Sequence, residues 1–154
     1  MILITGASGQ LGKDLKLLLR KKNINFISKS RKQLDISKEE SFYNLKKFKK
    51  IKIIINLAAY TKVDLAETNK KICKNTNVLG VSNLVRLSKK IDACFIHISS
   101  DYVFNGKSNK SYKENDVRYP INYYGLTKKL SEDIIKDSSK KYFIIRTSWV
   151  FSKH

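Results

Sequence analysis

Cysteine is scarce in this chain: Cys73 and Cys94 are the only two among 154 residues. Two thiols cannot build a disulfide framework, so they read as reduced cysteines of a cytoplasmic protein. There is one proline, Pro120, and no internal repeat, linker or low-complexity tract. No apolar run approaches the ~18 residues that a membrane-spanning helix needs. The apolar start, "MILIT", lacks a basic lead-in and a small-residue cleavage site, so it does not read as a signal peptide. No zinc-finger spacing is present, and no metal site is expected. Acidic residues are few, 13 against 32 basic ones, for a net charge of +19. Such an excess raises nucleic acid or a membrane as a partner. The lysines, however, are scattered in ones and twos, as at Lys21-Lys22, Lys49-Lys50 and Lys140-Lys141, with no aromatic-interleaved basic stripe. Isoleucine and asparagine are also abundant, so the excess reads as compositional bias. Neither nucleic acid nor a membrane is expected as a partner.

What is present is an alternation. Residues 1–5 read as a short buried strand, and 10–22 as a helix with Leu11, Leu15, Leu18 and Leu19 on one face. "INFIS" reads as a second strand. "SKEESFYNLKKFKK" reads as a helix capped by Ser37, with Phe42, Leu45 and Phe48 at helical spacing. "IKIIINLAAY" is apolar on both faces, as a buried parallel strand is. A helix is expected within 68–90, a fourth strand at "DACFIHISS", a long loop over 100–120, a helix at "NYYGLTKKLSEDIIKD" and a fifth strand at "KYFIIRTSWV". The pattern predicts an α/β fold: a Rossmann-type, doubly wound parallel sheet forming one dinucleotide-binding domain over residues 1–154. Such sheets usually have six strands or more. Five are expected here, so the fold is read as truncated, lacking a C-terminal substrate domain, with its last apolar strand poorly covered.

The glycines of "TGASGQLG" stand between the first strand and the first helix. That is the position of a dinucleotide-binding turn. Gly6 permits the tight turn, Gly9 lets the backbone approach a pyrophosphate, and Gly12 lets helix and strand pack closely. The helix N-terminus adds amide donors and a partial positive charge. The end of the second strand reads "SKSRKQLDIS", where Ser28, Lys29, Ser30 and Arg31 offer no acid for a ribose 2′-hydroxyl. Basic groups there favour NADPH over NADH.

A second constellation lies in "NYYGLTKK". Tyr124 and Lys128 are four apart, hence on one helix face. A lysine cation beside a phenol lowers its pKa, and the pair can then protonate a carbonyl oxygen as hydride reaches the carbon. Tyr43 and Lys47 share the spacing, but only Tyr124 follows the fourth strand, on the side where such sheets bind ligands. Ser99 and Ser100 end that strand, where a hydroxyl can orient a carbonyl.

Taken together, "TGASGQLG", "NLAAYTKVDLAE", "SSDYVFNG", "YPINYYGLTK" and "RTSWV" resemble the extended short-chain dehydrogenase/reductases, and within them the dTDP-4-dehydrorhamnose reductases. The resemblance implies a cytoplasmic, NAD(P)H-dependent oxidoreductase that reduces the 4-keto group of dTDP-4-dehydro-L-rhamnose to dTDP-L-rhamnose. It implies Tyr124 as the catalytic acid, Lys128 as the lysine that binds the nicotinamide ribose and tunes it, and Ser100 where relatives carry threonine. Gly6, Ser8, Gly9, Gln10, Leu11 and Gly12 match the phosphate turn. Asp35 and Ile36 match the pair near the adenine, and Ala58, Ala59 and Tyr60 the third-strand end beside the cofactor. Tyr102 and Trp149 match positions near the sugar nucleotide. The family's substrate domain lies beyond residue 154, so the expected partners are a nucleotide sugar and either a second copy or a complementing C-terminal chain. Turnover by this chain alone is not implied.

Two alternatives stay open at this point. A nucleotide-sugar epimerase or dehydratase fragment would keep the fold but hold NAD tightly; "SSDYVF" offers Asp101 without the following glutamate a dehydratase is expected to carry. A non-catalytic dinucleotide-binding regulatory subunit would have no use for the Tyr124–Lys128 pair.

Overall fold

A computed structural model of the chain describes residues 1–43 and 48–152. Its centre is a five-stranded parallel sheet of strands β1 (Ile2–Thr5), β2 (Phe26–Lys29), β3 (Ile53–Asn56), β4 (Cys94–Ser100) and β5 (Tyr142–Thr147). The spatial order is β2-β1-β3-β4-β5, so the connection from β2 to β3 crosses over β1. Ile4 pairs in register with Ile55, and Ile55 with Ile96. This is a Rossmann-type α/β sheet, as the alternation predicted.

Because strand side chains alternate, Leu3 and Ile4 serve opposite faces. Leu3, Ile54 and Phe95, all fully buried, pack with Leu84, Val85 and Leu87 of α3 (Gly80–Lys90) and Ile135 of α4 (Tyr123–Ser138). Ile4 packs on the other face with Leu15 and Leu19 of α1 (Gln10–Lys21). Farther along that second face, the row from Ile55 and Ile96 reaches Phe143, which is 63% exposed, and Ile98 pairs with Ile145, which is 45% exposed. Among the described residues nothing packs over β5 there. The expected poor cover of the last strand is thus visible as exposed apolar surface.

Three expectations are corrected. Among the described residues of the helix expected over 37–50 there is a 3-10 turn, Glu39–Phe42, and Ser37 does not cap it. Ser37 turns back instead, donating from its backbone N–H and its hydroxyl to Asp35 Oδ1 at 3.0 and 2.7 Å. Phe42 and Phe48 still meet in the core, 6.3 Å between ring centroids, while Leu45 and Lys47 lie outside the described residues. The helix expected within 68–90 contains a π turn, Asn75–Leu79, between α2 (Lys70–Lys74) and α3. A π turn inside a helix rotates the residues after it about the axis and is often found beside functional sites.

The position of α4 is fixed by charge. Glu132, fully buried, accepts hydrogen bonds from Ser99 Oγ (2.6 Å), Arg146 Nε (2.9 Å), Arg146 Nη2 (2.7 Å) and Arg118 Nη1 (3.0 Å). Arg118 also reaches Asp133 at 2.7 Å, and Arg146 the Glu114 carbonyl at 3.0 Å. One carboxylate therefore joins β4, β5, α4 and the 105–120 loop. Burial pushes the Glu132 carboxyl up, but the Arg146 and Ser99 hydrogen bonds and both guanidinium charges outweigh it and hold it below its ordinary range. Removing one member of a buried ion pair costs about 3–5 kcal/mol, because the remaining charge is left unpaired. Glu132→Ala is expected to lower the unfolding free energy by that amount in a urea titration. Lys129→Ala, which breaks only the half-exposed Lys129–Asp133 pair, is expected to change it by under about 1 kcal/mol. Equal effects would contradict the assignment.

Candidate functional site

The C-terminal ends of β1, β3 and β4 open onto one cleft of about 670 Å³. Gly6, Ser8, Gly9, Gln10, Leu11 and Gly12 line it from the turn between β1 and α1. The chain itself explains two of these glycines. Gly6 has φ +68, and a Cβ there would lie 2.5 Å from the Ala58 nitrogen. A Cβ on Gly12 would lie 2.8 Å from Ala7 Cα, so α1 could not seat on the turn. Gly9 is different. A Cβ there would meet only the Gly6 carbonyl oxygen, at an ordinary 3.5 Å. Nothing in the protein requires glycine at that point, and the space above it belongs to the cleft. Gly9 is also the N-cap of α1 and provides no side-chain cap. An open backbone at a helix N-terminus fits the phosphates of a dinucleotide.

Asp35 and Ile36 line the cleft on the β2 side, with Leu34 and Arg31. Arg31 stands 3.5 Å from Asp35 with its side chain 70% exposed, a pair too solvated to hold it firmly. Of the two basic residues noted in the sequence, Arg31 lines the cleft and Lys29 does not. Burial pushes the Asp35 carboxyl up, but the two Ser37 hydrogen bonds and Arg31 pull it lower still.

Ala58, Ala59 and Tyr60 line the floor after β3. Asn77, on the π turn, clamps that segment: its Oδ1 accepts from the Tyr60 backbone N–H at 2.8 Å, and its Nδ2 donates to the Tyr60 carbonyl at 3.1 Å. The same Nδ2 lies 3.0 Å from Thr127 Oγ1, whose hydroxyl donates to the Tyr124 carbonyl at 2.7 Å. The floor and α4 are thereby tied together.

Ser100, Tyr102, Tyr124, Lys128 and Trp149 line the remaining wall. Tyr124 is buried, and the half-exposed Tyr102 meets it in a T-shaped contact, 5.6 Å between centroids. Trp149, at φ +50, stands 91% exposed on the rim. Tyr43, the other tyrosine at this spacing, is exposed and outside the cleft. Lys128 is buried, donating to the Ile98 carbonyl at 2.7 Å with His97 Nε2 at 3.2 Å. Burial lowers its pKa to about 8, against the raising influence of Glu132 and Cys73. The phenol of Tyr124 departs from the expectation. Burial raises its pKa; the Ser100 hydroxyl bonded to it pulls the other way, and Asp101, Cys73 and Tyr102 add to the rise. The amine of Lys128 is directed at the Ile98 carbonyl, and desolvation decides the phenol's direction. A raised pKa keeps the phenol protonated, which is the form an acid needs.

Every site residue nominated from the sequence thus lines one cleft. Asn77, His97, Arg118 and Glu132, which hold the cleft from behind, were not among them. Nor was Gly125, where a Cβ would collide with the Tyr102 carbonyl. The only local signal was the helix-breaking Gly125 inside a helical pattern.

The chain is similar in sequence and fold to known proteins. The chain is 37% identical to a dTDP-4-dehydrorhamnose reductase of Aggregatibacter actinomycetemcomitans, covering 99% of this chain and 52% of that protein. It is 37% identical to the spore coat polysaccharide biosynthesis protein SpsK of Bacillus subtilis, over 97% of this chain and 53% of the relative. Among solved structures, it superposes with a TM-score of 0.94 and 38% identity on a dTDP-4-dehydrorhamnose reductase of Bacillus anthracis in complex with NADP, covering 99% of this chain and 54% of that one. The chain therefore spans about half the length of the relatives it matches. The sequence model described as the RmlD substrate binding domain matches all of residues 1–154, and the chain belongs to that family.

Proposed function

We propose that residues 1–154 form the dinucleotide-binding and proton-donating domain of an NADPH-dependent reductase. Its substrate on this reading is a keto sugar nucleotide, dTDP-4-dehydro-L-rhamnose, whose 4-keto group becomes the hydroxyl of dTDP-L-rhamnose. One observation carries the reading: the open backbone at Gly9 and the Tyr124–Lys128–Ser100 group share a single cleft. The B. anthracis relative's complex with NADP supports the cofactor class. The protein is taken as cytoplasmic, where Cys73 and Cys94 stay reduced. Its partner is taken as either a second copy or a chain supplying the remaining half of the relatives' length.

A nicotinamide dinucleotide, when bound, supplies the hydride. The backbone around Gly9 would hold its phosphates, and Arg31, only loosely paired with Asp35, would serve a 2′-phosphate. Ser100 orients the substrate carbonyl by hydrogen bonding. Tyr124, kept protonated by its burial, donates the phenolic proton to the carbonyl oxygen. Lys128 would present its remaining N–H donors to the ribose. Tyr102 and the exposed Trp149 offer aromatic surface to the sugar nucleotide.

Calorimetric titration of the chain with NADPH and NADH tests the cofactor assignment. Gly9→Val is expected to abolish binding of both. Arg31→Ala is expected to weaken NADPH by about 10–100-fold, the value of one charge-assisted hydrogen bond, with NADH almost unchanged. Native-like binding by Gly9→Val, or a native preference for NADH, would contradict it.

Turnover tests the acid. In the chain supplemented with the C-terminal half of a relative, Tyr124→Phe is expected to lose about 10²–10⁴-fold in kcat, the usual worth of general acid catalysis, while cofactor affinity holds. Lys128→Ala should damage both. Retention of near-native kcat by Tyr124→Phe would overturn the role.

A further inference from the structure

Behind Lys128 lies a string of buried polar side chains that the proposed reaction does not use. Thr5 Oγ1 donates to Asn56 Oδ1 at 2.7 Å, and the Ala58 backbone N–H donates to the same oxygen at 3.1 Å. Two donors on one oxygen fix the amide, since the reverse orientation would set an NH₂ group against a backbone N–H. Asn56 Nδ2 therefore faces His97 Nδ1, at 3.1 Å. An amide nitrogen cannot accept, so Nδ1 must carry the lone pair and Nε2 the proton. On that side, His97 Nε2 lies 3.2 Å from Ser131 Oγ and 3.2 Å from Lys128 Nζ. Ser131 has already given its own hydrogen to the Lys128 carbonyl, at 2.7 Å, so its oxygen is left as an acceptor for Nε2–H.

This leaves Lys128 in an unusual setting. Its one backbone acceptor here is the Ile98 carbonyl. The histidine beside it presents an N–H, which repels an ammonium donor but can donate to a neutral amine. We propose that His97 is a positioning residue: Asn56 locks it as the Nε2–H tautomer, and that tautomer weakens the hold of Lys128 on its proton. The other groups facing the amine are Glu132 on α4 and Cys73 on α2, and both favour the charged form. Glu132 is already engaged by Arg118 and Arg146. His97 itself is fully buried, and burial, then the Lys128 charge, keep its imidazole neutral well below the usual histidine range. Burial already lowers the Lys128 pKa to about 8, and the histidine N–H at 3.2 Å acts in the same direction. The consequence for turnover rests on the reductase reading above; the tautomer and the lysine titration do not.

NMR of the whole isotopically labelled chain, without cofactor or substrate, tests this. The ring nitrogens of His97 report the tautomer, and the Lys128 Nζ and Cε signals report its titration. The native chain is expected to hold His97 as neutral Nε2–H across the pH range in which it stays folded. His97→Gln places an amide whose oxygen can accept from Lys128, and should raise the Lys128 midpoint by about one unit, a tenfold tighter hold on the proton. Asn56→Asp should move the imidazole proton to Nδ1 and raise the Lys128 midpoint as well, without altering either residue of the contact. A native Nδ1–H tautomer, or an unchanged Lys128 midpoint in whichever variant folds, would overturn the proposal. Loss of turnover in either variant with no shift in the Lys128 midpoint would also count against it, by assigning His97 a purely structural role.

Discussion

The carboxylate of Glu132 is the point on which the site's geometry depends. A charge with no exposed surface persists only if its partners satisfy it, and here the partners come from three parts of the chain. Ser99 brings the end of β4, Arg146 brings β5, Arg118 brings the loop before α4, and the helix supplies the acid itself. Because Tyr124, Lys128, Glu132 and Ile135 recur at steps of four and three along α4, they share one face. Pinning Glu132 and burying Ile135 therefore decides that Tyr124 and Lys128 face the cleft.

The opposite end of α4 is held mostly by uncharged groups, beside Glu67, which accepts from the Tyr123 backbone N–H at 2.7 Å. Asn122 caps the helix through the Gly125 N–H at 2.7 Å, and Thr127 joins Asn77 on the π turn. Asn77 in turn grips the backbone of Tyr60. The cleft floor, α4 and the π turn are thus bonded to one another, with every buried side-chain nitrogen and oxygen among the described residues satisfied. Such an arrangement suits a site whose parts come from β1, β3, β4 and α4 and must keep their spacing.

Much of this was legible in the sequence. The strand–glycine–helix opening, the parallel sheet and the Tyr124–Lys128 pair all depend on spacings of a few residues, and short spacings show in a linear pattern. The fold gathers all the nominated site residues into one cleft. What did not show depends on distant partners. The reversal of Ser37 onto Asp35 replaced a helix cap with a local turn. The rise in the Tyr124 phenol comes from burial that no spacing reveals. Glu132, Asn77 and His97 looked like ordinary helix or strand residues, since their partners lie 14 to 50 positions away. The Gly9 space was anticipated, but its meaning became physical only when the neighbouring glycines proved to be demanded by the chain itself.

If the glycine turn and the α4 pair border one dinucleotide cleft, a single ligand must protect both. Hydrogen-exchange mass spectrometry of the whole chain, with and without NADPH, addresses this most directly. Slowed exchange is predicted in peptides spanning residues 6–12, 57–60, 99–102 and 123–128 together, with the outer residues of β5 unaffected. Slowing confined to other segments, or none at saturating NADPH, would contradict it.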